Sequence, residues 1–386
     1  MISRLRRMFQ RKHAPLPTTL LRFGRPLVLF QSDDWGRVGV RDREGWEELR
    51  AGGLNLGEKP YDFYSLETAD DLQALSDTLK KHRDSVGRNP CVGMNFIMAN
   101  VDFPRAISCS EAAAGYIPLL PLTDGFPEPW RRPGLLEAYQ QGIRARLFYP
   151  ALHGLTHFCV PAMAREIGVD GERRRLLHTL WQAGTPYIHW RMPWVGYEYW
   201  DASLPMDQRF LPLEKQRMAI RRAAEIYRAL FASVPLSACA PGYRANEDTK
   251  TAWHEAGVRL VQRGPGERHA PSIDSNGMLH TCRNVEIEPA TQRSQLEEVV
   301  KQANDCLASG MPTVVSTHSI NFHSTIRDFR ASTLAMLDVF LSALEKRWPD
   351  LLYVHDGDLW QIATVGFFAG ESEKIKVGTT LTRSDR

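Results

Sequence analysis

Pro26-Leu-Val-Leu-Phe-Gln-Ser-Asp33-Asp34-Trp35-Gly36 carries an apolar run into two adjacent carboxylates and then a glycine. The run reads as a buried strand, and the glycine as the turn that ends it. Neighbouring residues on a strand face opposite ways. Asp33 and Asp34 can therefore share a pocket only if the strand ends or twists there, a break that Gly36 is expected to supply. Taken alone, the motif fits two arrangements: an aspartate-rich turn closing a strand, or the place where a mononuclear metal enzyme sets a base beside a ligand.

Further short apolar stretches follow, at 92–98, 145–149, 236–238, 258–262, 281–287, 313–316 and 352–354. Helical patterns separate most of them, at 69–82, 134–141, 172–184, 213–232, 249–256, 292–309 and 330–347. Strands alternating with helices imply right-handed crossovers and a mostly parallel sheet. Over this length the expected fold is α/β, a closed or nearly closed barrel of seven or eight strands with function at their carboxyl ends. The Pro- and Gly-rich stretches 118–133 and 264–277 read as loops over one rim, and no internal repeat is present.

The chain has 386 residues, enough for a large core, and its 43% hydrophobic and 24% charged content is ordinary for a globular enzyme. No stretch approaches the roughly 20 apolar residues that cross a bilayer, and the first ten residues lack the apolar core of a secretory signal. A cytoplasmic location is the expectation. The six cysteines, Cys91, Cys109, Cys159, Cys239, Cys282 and Cys306, contain no CxxC pair, which argues against a zinc ribbon and a disulfide framework.

The net charge of +3 is unevenly spread: residues 1–25 hold seven Arg or Lys and no acid, leaving 3 − 7 = −4 for residues 26–386. The chain thus divides into a basic N-terminal arm, 1–25, and one domain, 26–386. The arm suits peripheral contact with an anionic membrane surface, helped by Leu5, Met8, Phe9, Leu20, Leu21 and Phe23. Nucleic acid is not an expected partner, since no basic stripe with interleaved aromatics recurs beyond it.

Unusual polar residues gather after the other strands. His153-Gly-Leu-Thr-His157 follows one; histidines at i and i+4 lie on one face of a helical turn, close enough to share a metal ion. Cys239-Ala-Pro-Gly-Tyr243-Arg244 forms a tight turn from which Tyr243 and Arg244 can project as donors. Thr313-Val-Val-Ser-Thr-His318-Ser-Ile-Asn321-Phe-His323 empties a strand into two histidines and an asparagine. Tyr353-Val-His355-Asp356-Gly-Asp358 ends in an acidic turn whose groups could orient ligands or bind solvent.

In order and strand-end placement this set resembles the polysaccharide deacetylase family, the NodB-like carbohydrate esterases. Asp33-Asp34, with Trp35 inserted before Gly36, is similar to the family's first motif; His153 and His157 to its second; Thr317-His318-Ser319 to its last. The resemblance spans about residues 26–360 and implies a distorted (β/α)7-8 barrel, NodB-like, with loop insertions at the carboxyl rim, here 101–133 and 189–212. It implies Asp34, His153 and His157 as ligands of a divalent metal, expected to be Zn2+, with Asp33 as general base and His318 as general acid. One departure stands out: Cys239 lies where the family carries the arginine that orients the base, so Arg244 or Arg191 is expected to replace it.

The implied activity is metal-dependent removal of an N-acetyl group from an amino sugar of a surface polysaccharide or its precursor. Rim aromatics, Trp35, Tyr116, Trp130, Trp190, Trp194, Tyr197, Tyr199 and Trp200, suit sugar faces. The oxyanion would fall to the metal, helped by a backbone N–H near Tyr243. The alternatives are a metal-dependent amidase on a non-sugar amide and a non-catalytic carbohydrate-binding or scaffold protein of the same fold.

Overall fold

Strand β2 (Leu27–Trp35), the run that opens the reading above, is buried along all its residues and lies inside a twelve-stranded sheet. The computed structural model describes residues 18–110, 116–265, 269–291, 295–367 and 374–382. Its other strands are β1 (Thr18–Phe23), β3 (Val92–Phe96), β4 (Ala99–Val101), β5 (Leu119–Pro121), β6 (Phe148–Leu152), β7 (Ser237–Cys239) and β8 (Leu260–Arg263). Then come β9 (Ser272–Ile273), β10 (Leu279–Cys282), β11 (Val285–Glu286), β12 (Thr313–His318), β13 (Leu352–Tyr353) and β14 (Val377–Thr382).

The parallel part of the sheet runs β11-β12-β2-β3-β6-β7-β8-β10, and β9, β1 and β14 extend it antiparallel beyond β10. β13 pairs only with the first residues of β2, and β4 and β5 form a separate ribbon. The sheet curls through 258° with edges 21 Å apart, a half-barrel flanked by helices. This is the distorted barrel expected from the sequence.

Each expected helical stretch contains a helix, for example Ala69–Leu79, Leu213–Phe231 and Arg330–Arg347. Four more were not anticipated: Arg43–Ala51, Phe103–Ser110, Val160–Ile167 and Asp356–Val365. The last explains the acidic turn after β13. Asp356 and Asp358 sit in the first turn of that helix, where carboxylates favour the exposed N–H groups, and Asp358 accepts from the backbone N–H of His355 at 3.3 Å.

The expected strand 281–287 is in fact two. β10 pairs with β8 while β11 pairs with β12, so Arg283-Asn284 carries the chain across the barrel's seam. Asn284 completes the crossing: its Oδ1 accepts from Val314 N at 2.9 Å and its Nδ2 donates to the Pro312 carbonyl at 2.9 Å.

Part of the expected arm also belongs to the sheet. β1 holds residues 18–23, and Leu21 and Phe23 are buried in a cluster with Leu27 and Leu352, so neither can grip a membrane. Residues 1–17, with Leu5, Met8 and Phe9, lie outside the described residues. Among the described residues no helix is long and apolar enough to cross a membrane. Cys91, Cys159, Cys239, Cys282 and Cys306 are buried thiols, and the side chain of Cys109 lies outside the described residues.

Candidate active site and metal centre

The pairing of β2 with β3 slips between Ser32 and Trp35: Ser32 faces Met94 but Trp35 faces Phe96, which leaves one extra residue on β2. Asp34 takes up the slip with φ +73°, the left-handed region that Asp tolerates better than most residues, at a cost of ~1–3 kcal/mol. The Asp34 carbonyl, held by Tyr64 Oη at 2.8 Å and Ser319 Oγ at 3.2 Å, fixes this conformation. The break that lets two adjacent carboxylates face one pocket is therefore at Asp34 itself, two residues before Gly36.

Asp34 Oδ2 receives Arg37 Nη1 at 2.9 Å. Its Oδ1 is buried without a hydrogen-bond partner among the described residues, yet His153 Nε2 and His157 Nε2 lie 3.6 and 3.3 Å away. Burial acts to raise the Asp34 pKa; Arg37, His157 and His153 outweigh it and hold the carboxyl well below its ordinary range. His157 is driven well below its ordinary range by burial and by Arg37, so it is neutral.

The other imidazole nitrogens are engaged. His153 Nδ1 donates to the Cys239 carbonyl at 2.9 Å, and His157 Nδ1 shares a hydrogen bond with Tyr187 Oη at 2.9 Å. Two imidazoles oriented from behind and one orphaned carboxylate oxygen are the donor set of a divalent metal with open positions. The ligand atoms of Asp34, His153 and His157 all lie within 4.8 Å of one another, so these residues fit the ion. Asp33, His153 and Cys239 also lie within that distance. That second set is poorer, because burial and Asp33 push the Cys239 thiol well up and keep its proton.

The two histidines do not share a helical turn. Residues 153–159 are a loop between β6 and Val160–Ile167, and Gly154 bends it with φ +102°.

Asp33 lives in a different environment. Arg283, fully buried, places Nη2 2.6 Å from its Oδ1 and Nη1 2.7 Å from its Oδ2, a bidentate pair. Asn95 Nδ2 donates to Oδ1 at 2.6 Å. Burial again acts upward, but Arg283, His153 and His318 hold the Asp33 carboxyl far below its ordinary range. Cys239 Sγ lies 3.4 Å from Arg283 Nη2, so the arginine reaches across the seam to the space beside the cysteine.

Neither expected replacement reaches Asp33. Arg244 is exposed and lies over the Trp200 ring at 5.0 Å, and Arg191 pairs with Asp62 at 3.3 Å while covering Trp190. Arg283 escaped the sequence reading because it sits within what looks like one continuous strand. The polar residue inside that apolar stretch was the available signal.

His318 ends β12 directly opposite Asp33 in register, its Nε2 3.7 Å from Asp33 Oδ2. Its Nδ1 donates to Glu288 Oε1 at 2.6 Å, and Asn321 Nδ2 donates to Glu288 Oε2 at 2.6 Å. Burial would lower the His318 pKa, but Glu288 and the aspartates raise it to about 9, so the ring is protonated at neutral pH. Glu288 had no motif to betray it. A cavity of about 420 Å³ opens over this side, lined among others by Lys59, Tyr61, Trp190, Tyr243, Glu288 and His318.

The remaining expected residues divide. Tyr243 Oη accepts from Arg283 Nη1 at 3.1 Å and faces the cavity. Its backbone N–H bonds the Ala240 carbonyl and that of Arg244 the Pro241 carbonyl, so neither is left for an oxyanion. Trp35 is fully buried and stacks on Phe322 at 5.6 Å, which removes it from the rim. Trp130 and Tyr199 are buried likewise, whereas Trp190 lines the cavity and Tyr197 packs on His157 at 5.6 Å.

His323 is buried 3.2 Å from Glu67, whose Oε1 accepts from Gly36 N at 2.9 Å, so it braces the turn after Asp34 from behind. Asp356 enters the barrel beneath the site, accepting from Gln31 at 2.9 Å and Gln262 at 2.6 Å. Asp358 pairs with Arg88 at 2.6 Å, away from both aspartates.

No family model matches the chain, and no curated protein matches it. Solved structures similar to it include a proposed polysaccharide deacetylase from Mycobacterium smegmatis, at 10% identity and TM-score 0.43 over 88% of this chain and 90% of that one. Others are a family 4 carbohydrate esterase from Streptomyces lividans in complex with acetate (11%, TM-score 0.36, 85% and 91%) and a peptidoglycan deacetylase from Bacillus subtilis (10%, TM-score 0.36, 88% and 91%).

Proposed function

We propose that this chain is a metal-dependent amide hydrolase of the polysaccharide deacetylase kind, removing the N-acetyl group of an amino sugar in a surface glycan or its precursor. The observation that carries the reading is the division of two adjacent aspartates: Asp34 turns an orphaned oxygen toward two imidazoles, while Asp33 is locked by Arg283 opposite His318.

Asp34, His153 and His157 would hold a divalent ion, expected to be zinc, which when bound would polarise the amide carbonyl and acidify water. Asp33, ionised and pinned by Arg283 and Asn95, accepts the proton of the attacking water. His318, protonated and held by Glu288, delivers a proton to the departing nitrogen as the C–N bond breaks. Products are acetate and a free amine. The sugar is placed in the cavity on the His318 side, which Tyr61, Trp190 and Tyr243 line.

A non-catalytic role rested on the missing arginine at Cys239. Arg283 supplies that guanidinium, so this reason for it falls away. The working location is proposed to be the cytoplasm, with residues 1–17 resting on the anionic face of a membrane.

The test is acetate release from a panel of N-acetylated sugars and non-sugar amides, with metal content measured on the same sample and Asp33→Asn as control. Release from a sugar that is lost in the variant supports the reading. Bound metal with release only from non-sugar amides, or from nothing, would overturn it.

A further inference from the structure

The loop that carries both histidines wraps around a carboxyl side chain, Glu198, whose pKa burial raises to about 8. Glu198, 4% exposed, accepts the backbone N–H groups of Leu155 at 2.8 Å and Thr156 at 3.4 Å on one oxygen, Oε1. Its Oε2 lies against Gly154, where an added Cβ would stand 1.9 Å from it. Gly154 is thus required both by its φ of +102° and by the carboxyl group. All three residues between His153 and His157 therefore touch Glu198.

The rest of the loop's support is one-sided. Its carbonyls at Gly154 and Leu155 accept from Met98 N at 3.1 Å and Ala99 N at 2.7 Å. Beside it opens a pocket of about 620 Å³, bounded in part by Leu155, Thr156, Val160 and Glu198. Backbone N–H groups removed from water need an acceptor, and Glu198 is the one that Leu155 and Thr156 meet. The preceding residue, Tyr197, packs edge-on against the His157 ring at 5.6 Å. Consecutive residues of the segment 189–212 thus both touch the loop. That segment was expected to cover the rim, and instead it also braces the loop from behind.

From this geometry we infer that Glu198 is a positioning residue for the metal centre: it sets the spacing of His153 and His157 by gathering the N–H groups of the loop between them. The inference rests on the metal reading proposed above. Residues that orient ligands from behind typically cost ~10–100-fold in metal affinity when removed, and Glu198 acts on two ligands at once through their shared backbone.

The experiment titrates metal-free protein with Zn2+ against a chromophoric chelator, for wild type, His153→Ala, Glu198→Ala, Glu198→Asp and Glu198→Gln. Wild type is expected to bind one ion, and His153→Ala to lose it. Glu198→Ala and Glu198→Asp, the latter too short to reach Leu155 N, are expected to bind ~10–100-fold more weakly. Glu198→Gln, which keeps the accepting oxygen, is expected to stay within ~3-fold of wild type. A merely structural role would lower the unfolding temperature and leave affinity alone, so both are measured. If Glu198→Ala does not fold, the Asp and Gln variants decide. Wild-type affinity in Glu198→Asp overturns the inference alone; a wild type that binds no ion, or whose binding survives His153→Ala, overturns the metal reading and the inference with it.

Discussion

Arg283 closes on Asp33 with two nitrogens, at 2.6 and 2.7 Å, from the crossing between β10 and β11, neither of which is a hydrogen-bonded neighbour of β2. Arg283→Met should leave Asp33 buried without its cation, at ~3–5 kcal/mol of stability, measurable by denaturant unfolding. Arg283→Lys keeps the charge but not the fork, so it should fold better while kcat/KM still falls ~10²–10⁴-fold through misplacement of the base.

Glu288→Gln removes the main group that raises His318, so the ring should lose its proton at lower pH. In the wild type the protonated form persists up to about 9, and kcat/KM should fall as pH rises through that limb. A divalent cation beside Asp34 moves the limb down by repulsion of like charges. In either state the variant's limb should lie below that of wild type in a pH-rate profile. Stability follows the same sign: the His318 contribution is full below about 6.5, the unperturbed value, and disappears as pH rises through about 9.

Chelation should abolish hydrolysis and lower the unfolding temperature without collapsing the fold, since the core does not run through the ligands. A metal at 100 times its Kd adds ~2.7 kcal/mol, so calorimetry with and without Zn2+ should show a clear shift. Asp34→Asn should show none.

The basic stretch can be tested only if it is cut in the right place. Residues 1–17 carry five Arg or Lys, each contributing ~1 kcal/mol near an anionic surface, whereas residues 18–23 are β1. Removing 1–17 should weaken partition to anionic vesicles in a salt-sensitive way and leave the unfolding temperature unchanged. Equal partition of the two proteins would exclude the membrane contact. Removing 1–25 should destabilise the sheet.

The sequence made the barrel legible because its buried strands are continuous apolar runs and its helices are long enough to show their period. It also brought forward Asp33, Asp34, His153, His157 and His318, each standing just past such a run. Four things were hidden. The slip at Asp34 is a matter of backbone register, and no residue type marks it. Arg283 was masked because β10 and β11 abut in sequence and read as one strand, though they pair on different sides of the barrel. Glu288 and Glu198 act through contacts 30 and 43 residues away, a separation across which local pattern carries no signal.

At the seam, Arg283 and Asn284 perform two jobs with one dipeptide. Asn284 stitches the end of the barrel to β12, and Arg283 sets the charge of Asp33. The joint behaves as a latch: prising the two strands apart there would draw the guanidinium from the carboxylate, and Asp33 would then lose the largest of the groups that hold its pKa down. The meeting of β10 and β11 at the seam and the readiness of the base are thereby a single mechanical state.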